Sequence, residues 1–163
     1  DRDVFSILYL GNVRFKKEIL SFCDHLMSLN IVFEIDLYGP ERIDHKNITY
    51  KGFSKDIDID IDFGKYHAGL VPMSFAKADA ELVMTSFPSK TMEYVSRSLP
   101  VIVHAPSYSS ISKFVSKTKV GLMSEDITDI KYFGDIQCEF EDNRNSLIKT
   151  AKAIHRSLAE SLN

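Results

Sequence analysis

Short uninterrupted apolar runs alternate along this chain with segments whose apolar residues recur every three to four positions. Phe5 to Leu10 (FSILYL) is such a run, closed by Gly11, and Ile19, Phe22, Cys23, Leu26 and Met27 follow at helical spacing. The first pattern marks a strand buried on both faces, the second the inner stripe of a helix. Ile31 to Tyr38 (IVFEIDLY) is β-branched and aromatic and stops at Gly39-Pro40, and Asn47 to Tyr50 reads as a shorter strand before Gly52. Ala68 to Val71, ending at Pro72, and Pro100 to His104, ending at Ala105-Pro106, are two further runs between breakers. Met92, Val95 and Leu99 mark a helix between them, and Ile111, Phe114 and Val115 mark another. Lys119 to Met123 completes the strands, and Leu147, Ala151, Ile154, Leu158 and Leu162 trace a terminal helix from about Asp142 onward.

Buried strands taking turns with helices predict a mostly parallel sheet, because parallel neighbours need crossover connections and those cover both faces. The expected fold is α/β: one Rossmann-like, doubly wound domain over residues 1–163 with about six strands. A length of 163 residues with 44% apolar side chains suits one core. Its ligand site is expected in the crevice at the carboxyl ends of the strands, where the strand order reverses.

Charge narrows the partners. Net charge is −3, and the 20 Lys and Arg residues are scattered, so nucleic acid is excluded as the expected partner while a small anion is not. Cys23 and Cys138 lie far apart among apolar neighbours, the pattern of buried free thiols in a reducing compartment. No apolar run approaches the roughly 20 residues that span a bilayer. The start, Asp1-Arg2-Asp3, is neither a signal peptide nor a natural initiation site, so the expectation is a cytoplasmic fragment of a larger protein.

The richest chemistry lies in Ser86 to His104 (SFPSKTMEYVSRSLPVIVH). Ser89 after Pro88 reads as an N-cap, so unpaired N–H groups at the helix start would face the strand-end crevice, an anion site to which Lys90 adds a positive charge. Glu93, one turn in, is placed to hold a hydroxylated group one ribose away. The plainer alternative is a capped helix with an exposed Lys90–Glu93 pair.

The segment PSKTMEYVSRSLPVIVHAPSYSSI resembles the donor-binding segment of family 4-type (group 1) glycosyltransferases of the GT-B class, in which such a turn opens a helix bearing an acidic residue, followed by a Pro-Val-Ile-type strand. Tyr9-Leu10-Gly11-Asn12 is similar to the first glycine loop, Leu37-Tyr38-Gly39-Pro40 to the second strand end, Tyr50-Lys51-Gly52-Phe53 to the third and Ala68-Gly69-Leu70-Val71-Pro72 to the fourth. The resemblance implies the C-terminal, nucleotide-sugar-binding half of such an enzyme, its N-terminal acceptor-binding domain absent. It implies a UDP- or GDP-sugar donor held by Gly11, Asn12, Arg14, Lys17, Gly52, Phe53, Ser89, Lys90, Thr91 and Glu93. Glu93 would bind the ribose hydroxyls, Ser89-Lys90 the diphosphate, and Gly52-Phe53 would flank the base. Lys17 and Lys90 would stabilise the departing nucleoside diphosphate, with no cofactor and no metal, and the fragment alone would bind without transferring sugar. The acceptor implied is a polysaccharide, lipid-linked or other glycan, which leaves room for peripheral membrane association of the full-length enzyme. Two positions depart from the pattern: Asn12 stands where Arg is frequent, with Arg14 or Lys90 at hand to supply that charge, and Thr85 stands where a second Glu is frequent.

Other features have plainer readings. Lys55-Asp56-Ile57-Asp58-Ile59-Asp60-Ile61-Asp62 lacks the glycine and bidentate Glu of a calcium loop and reads as an exposed acidic face before the fourth strand. His104 is a candidate crevice residue; His25, His45, His67 and His155 have no partners at ligand spacing. Ser109 or Ser110 reads as an N-cap, and no hydrolase signature is present. The competing functions are another GT-B-shaped enzyme, such as a nucleotide-sugar epimerase, and a catalytically silent glycosyltransferase-like binding subunit.

Overall fold

A computed structural model describes residues 4–128, 140–146 and 149. Six strands, β1 (Phe5–Leu10), β2 (Phe33–Tyr38), β3 (Ile48–Gly52), β4 (Ala68–Pro72), β5 (Val101–His104) and β6 (Gly121–Met123), form one sheet in the order β3-β2-β1-β4-β5-β6. Every pairing is parallel. The chain winds outward from β1 to β3, then returns to start again at β4 on the other side of β1, so the order reverses between β1 and β4. The expected Rossmann-like α/β fold is thus what forms.

Parallel strands bury both faces, and alternate residues divide accordingly. Ile7, Ile35, Leu70 and Ile102 enter one core with Ile19, Phe22, Cys23 and Leu26 of α1 (Lys16–Ser28). Leu8, Val71, Val101 and Val103 enter the other, with Tyr94 and Val95 of α4 (Lys90–Ser96) and Ile111 and Val115 of α5 (Ser110–Thr118). Burial raises the pKa of the free thiol Cys23 to about 12, so it is an inert core residue.

Helix ends follow local chemistry. Beyond α1, Asn30 takes φ 56°, Ile31 N–H donates to Leu26 O at 3.1 Å and Asn30 N–H to Met27 O at 3.0 Å. This is a Schellman stop in which Asn tolerates the left-handed turn. Ser98, Leu99 and Tyr94 repeat it after α4: Ser98 has φ 62°, and Leu99 N–H donates to Tyr94 O at 3.0 Å. Ser109 caps α5, accepting from Ser112 N–H at 3.1 Å.

Several sequence expectations shift. Strand β2 begins at Phe33 rather than Ile31, because Ile31 belongs to the helix stop, and β6 begins at Gly121, because Lys119 closes α5 in the left-handed region. Met27 and Met92 face outward; the inner face of α4 is Thr91, Tyr94 and Val95, and Leu99 lies past the helix end. Helix α3 (Ala80–Thr85) buries only Val83 and left no periodic trace. The acidic run forms the short helix α2 (Ile57–Asp60) and a 3-10 turn at Phe63–Lys65. Residues 140–146 and 149 are helical; the other residues of the expected terminal helix, Cys138 and His155 lie outside the described residues.

Candidate donor-binding cavity

The site begins at the sheet's reversal. Strands β1 and β4 pair only at Ile7↔Ala68 and Leu8↔Gly69, then part. Tyr94, fully buried on α4, fills the opening between them: its hydroxyl accepts from Leu10 N–H at 2.9 Å and reaches Leu70 O at 3.4 Å. Its ring lies flat against β4 where Gly69 has no side chain, since a Cβ there would fall 2.4 Å from ring atoms. On the far side of β1, Gly11 N–H donates to Tyr38 O at 2.9 Å and Gly39 N–H to Gly52 O at 2.9 Å, so the first three strand ends stay stitched together. Gly39 has to be glycine there, because a Cβ would lie 2.1 Å from Gly11 O, and Gly11 itself turns with φ 107°.

Where β1 and β4 part, a cavity of about 280 Å³ opens at their carboxyl ends. Tyr9, Asn12, Arg14 and Phe15 line it from the β1–α1 loop, Pro72 and Met73 from the end of β4, and Leu82 with Ser86 to Lys90 from the α3–α4 side. Among these lining residues are two cations, Arg14 and Lys90, and no carboxylate.

Lys90 defines the electrostatics. Its Nζ donates to Tyr9 Oη at 3.0 Å and lies 4.2 Å from the centre of the Tyr9 ring, while Tyr9 Oη donates to Asn12 O at 2.5 Å. The same ammonium is 3.7 Å from the place a Cβ on Gly11 would take. Burial lowers its pKa to about 8, and among the described residues no carboxylate pairs with it. A cation withdrawn from water and met only by a hydroxyl and an aromatic face is electrostatically incomplete.

The predicted site residues divide. Gly11, Asn12, Arg14, Ser89 and Lys90 come together at the cavity. Lys17 is exposed on the first turn of α1 and does not line it, and Gly52 and Phe53 close β3 away from it, Phe53 being 74% exposed. Thr91 is buried beneath α4, its hydroxyl without a partner among the described residues. Glu93 lies on the outer side of α4 and is bonded to Arg97, not to Lys90.

Ser89 is no cap. It already has helical backbone angles, φ −59° and ψ −32°, and its side chain makes no capping bond; the first turn is closed instead by Thr91 N–H on Pro88 O at 3.0 Å. Pro88 fixes the entry angle, so the turn starts one residue earlier than a Ser cap would set it. With α4 only seven residues long, Lys90 and Arg14 rather than a helix dipole carry the positive potential.

His104 serves elsewhere. Its Nε2 is 2.7 Å from Ser21 Oγ and its Nδ1 2.7 Å from Ser124 Oγ, tying α1 to the end of β6 between the rings of Phe22 and Phe75. Burial, then the nearby His25, brings its pKa down to about 4. His67 and His45 accept from the backbone N–H groups of Ser6 and Asn47, and His25 meets Ser124 O at 2.8 Å. Among the described residues no group of three or more His, Cys, Asp or Glu is arranged for a metal, and no helix is long and apolar enough to cross a membrane.

Sequence reasoning missed Tyr9, which looked like one more apolar strand residue, and Tyr94, whose partner Gly69 is distant in sequence. No curated protein and no solved structure matches the chain. Over residues 7–160, nearly its full length, it does match the family described as Glucosyltransferase 3-like, C-terminal domain. With a doubly wound parallel sheet and a cationic cavity at its reversal, the chain belongs to the glucosyltransferase 3-like C-terminal domain family and is a glycosyltransferase-related domain.

Proposed function

We propose that this domain binds the nucleoside diphosphate part of a sugar donor, UDP- or GDP-linked, in the cavity between the ends of β1 and β4, as the donor half of a GT-B glycosyltransferase similar to the family 4 type. The observation that carries the reading is the pair Arg14 and Lys90 facing a cavity with no carboxylate at the sheet's reversal. Sugar transfer breaks the bond between the anomeric carbon and a β-phosphate oxygen. The oxygen keeps the electron pair, and the departing diphosphate gains negative charge. Cations fixed beside that oxygen favour the transition state over the bound donor, because the charge they meet grows as the bond breaks. Lys90, held by Tyr9, and Arg14 fill this role; Lys17, exposed and outside the lining, contributes less than Lys90. Glu93 receives the ribose hydroxyls, with Gly52-Phe53 towards the base. A second half would hold the acceptor, a polysaccharide, lipid-linked or other glycan, whose hydroxyl oxygen forms the new bond to the anomeric carbon and gives up its proton to a general base there.

Calorimetry on the chain tests this. UDP or GDP is expected to bind with the matching nucleoside roughly ten-fold or more weaker, since each charge-assisted bond to phosphate is worth about 1.5–3 kcal/mol. Equal affinity for nucleoside and diphosphate, or no binding of either diphosphate, contradicts the reading. A binding subunit without transfer is the second reading, favoured by Thr85: its hydroxyl donates to Glu81 O at 2.8 Å where the related enzymes often present a carboxylate to the sugar.

A further inference from the structure

The acidic run before β4 is resolved by its hydrogen bonds into separate tasks. Asp60 Oδ2 accepts from Ser54 Oγ at 2.8 Å and from the N–H groups of Lys55 and Asp56, while Asp56 and Asp62 cap Asp58 N–H and Gly64 N–H at 3.1 Å each. Asp58 alone among these four sends its carboxylate out of the segment. It grips Arg97 with both oxygens, Oδ1 at 2.6 Å from Nε and Oδ2 at 3.1 Å from Nη2. The third nitrogen of the guanidinium, Nη1, donates to Glu93 Oε2 at 2.7 Å and to Glu93 O at 3.1 Å, and Cζ lies 5.3 Å from the centre of the Phe63 ring.

A Glu–Arg pair four residues apart on an exposed helix ordinarily leaves both side chains free to change rotamer. Here Arg97 is held from a second segment by a forked, two-bond contact and rests on an aromatic ring, so it has little freedom of its own. Its hold on Glu93 therefore fixes one carboxylate oxygen, Oε2, of a side chain that is 47% exposed. A group fixed before its ligand arrives loses less entropy on binding.

We propose that Asp58 and Arg97 are positioning residues that orient the Glu93 carboxylate for the ribose hydroxyls and so set the preference for ribonucleotides over 2′-deoxyribonucleotides. This rests on the donor-binding reading of Glu93 and extends it to residues that touch no ligand. The Asp-rich segment thereby gains a task in specificity.

The test is the ratio of dissociation constants of dUDP to UDP, or dGDP to GDP, in the chain and in Asp58→Ala, Arg97→Lys and Glu93→Ala. Glu93→Ala is expected to bring the ratio close to one from a starting preference of roughly ten-fold. Asp58→Ala and Arg97→Lys should each lower the ratio about three-fold or more while the constant for the deoxy form stays put, because a freed Glu93 pays again for its own ordering. Arg97→Lys keeps the charge but not the fork, so an effect of charge alone would leave its ratio unchanged and sink the inference. A ratio that collapses in Glu93→Ala but is untouched in Asp58→Ala overturns the positioning role and leaves the donor reading standing. A ratio untouched in Glu93→Ala as well overturns both. Asp58 is 66% exposed in its side chain, and thermal melting of each variant confirms that the readout is not lost fold.

Discussion

Lys90→Met is expected to weaken UDP or GDP binding by about ten- to hundred-fold, the loss of one hydrogen bond to a charged group, with little change for the nucleoside. It should also remove a pH dependence that the native chain has. In the free domain Lys90 loses its proton at about pH 8, and no carboxylate among the described residues holds it. Affinity for the diphosphate should be flat below pH 8 and then fall by up to about ten-fold per pH unit, because the anion must first restore a proton to the amine. Binding near pH 8 should accordingly take up protons, measurable as a heat that varies with the ionisation enthalpy of the buffer. Stability of the free domain has the opposite slope. A depressed amine pKa means that the unfolded chain, with Lys near 10.5, binds more protons between about pH 8 and 10.5, so this group adds stability as pH rises through that window. Affinity that ignores pH from 7 to 10, or Lys90→Met binding the diphosphate as the native chain does, places the phosphate elsewhere.

Tyr94→Ala should be the most damaging single change in the described core, costing about 3–5 kcal/mol from a total that for a domain of this kind is usually about 5–15 kcal/mol. The cause is threefold: a fully buried ring is lost, the face of Gly69 is laid bare, and Leu10 N–H loses its acceptor where β1 and β4 separate. Tyr94→Phe isolates the last of these. It keeps the ring and should cost about 1–3 kcal/mol for the buried N–H left unpaired. Gly69→Ala approaches the same contact from the other side: its methyl would lie within 2.4–2.7 Å of the ring, and overpacking of that sort costs about 1–3 kcal/mol. Urea unfolding of the three variants checks the order, and Tyr94→Phe as stable as the native chain would show that the hydroxyl contributes nothing to the strand junction. Because the cavity opens where β1 and β4 part, next to that junction, Tyr94→Phe is further expected to weaken diphosphate binding along with stability.

The sheet was legible because strands buried on both faces leave unbroken apolar runs, as FSILYL and PVIVH do here, and because glycine or proline closes nearly every one. Their carboxyl-end loops then supplied Gly11, Asn12, Arg14, Ser89 and Lys90, which do meet. What pattern could not supply was contact across the sequence. Lys90 looked like the partner of Glu93 by spacing, yet it turns back to Tyr9, 81 residues away, and Glu93 bonds the residue four along, Arg97. Either spacing brings side chains together on a helix; here Tyr9 holds Lys90 and Asp58, 39 residues from Arg97, holds Arg97 beside Glu93. Ser89 misled for a local reason: a Ser after Pro is a good cap only if its backbone stays extended, and here Pro88 has already started the turn. Met92 misled for a steric one, since the larger Tyr94 takes the inner face opposite Gly69 and rotates Met92 outward.

On the proposed reading, the anionic part of a nucleoside diphosphate sits between the ends of β1 and β4. Backbone amide shifts of the isotope-labelled chain, followed during titration with UDP, with GDP and with inorganic pyrophosphate, test it most directly. The largest changes are expected on Gly11, Asn12, Arg14, Ser89 and Lys90, pyrophosphate is expected to reproduce them, and the nucleotide to add changes at Glu93 and around Gly52-Phe53. Changes centred instead on Ser21, His104 and Ser124, or none at millimolar nucleotide, would contradict it.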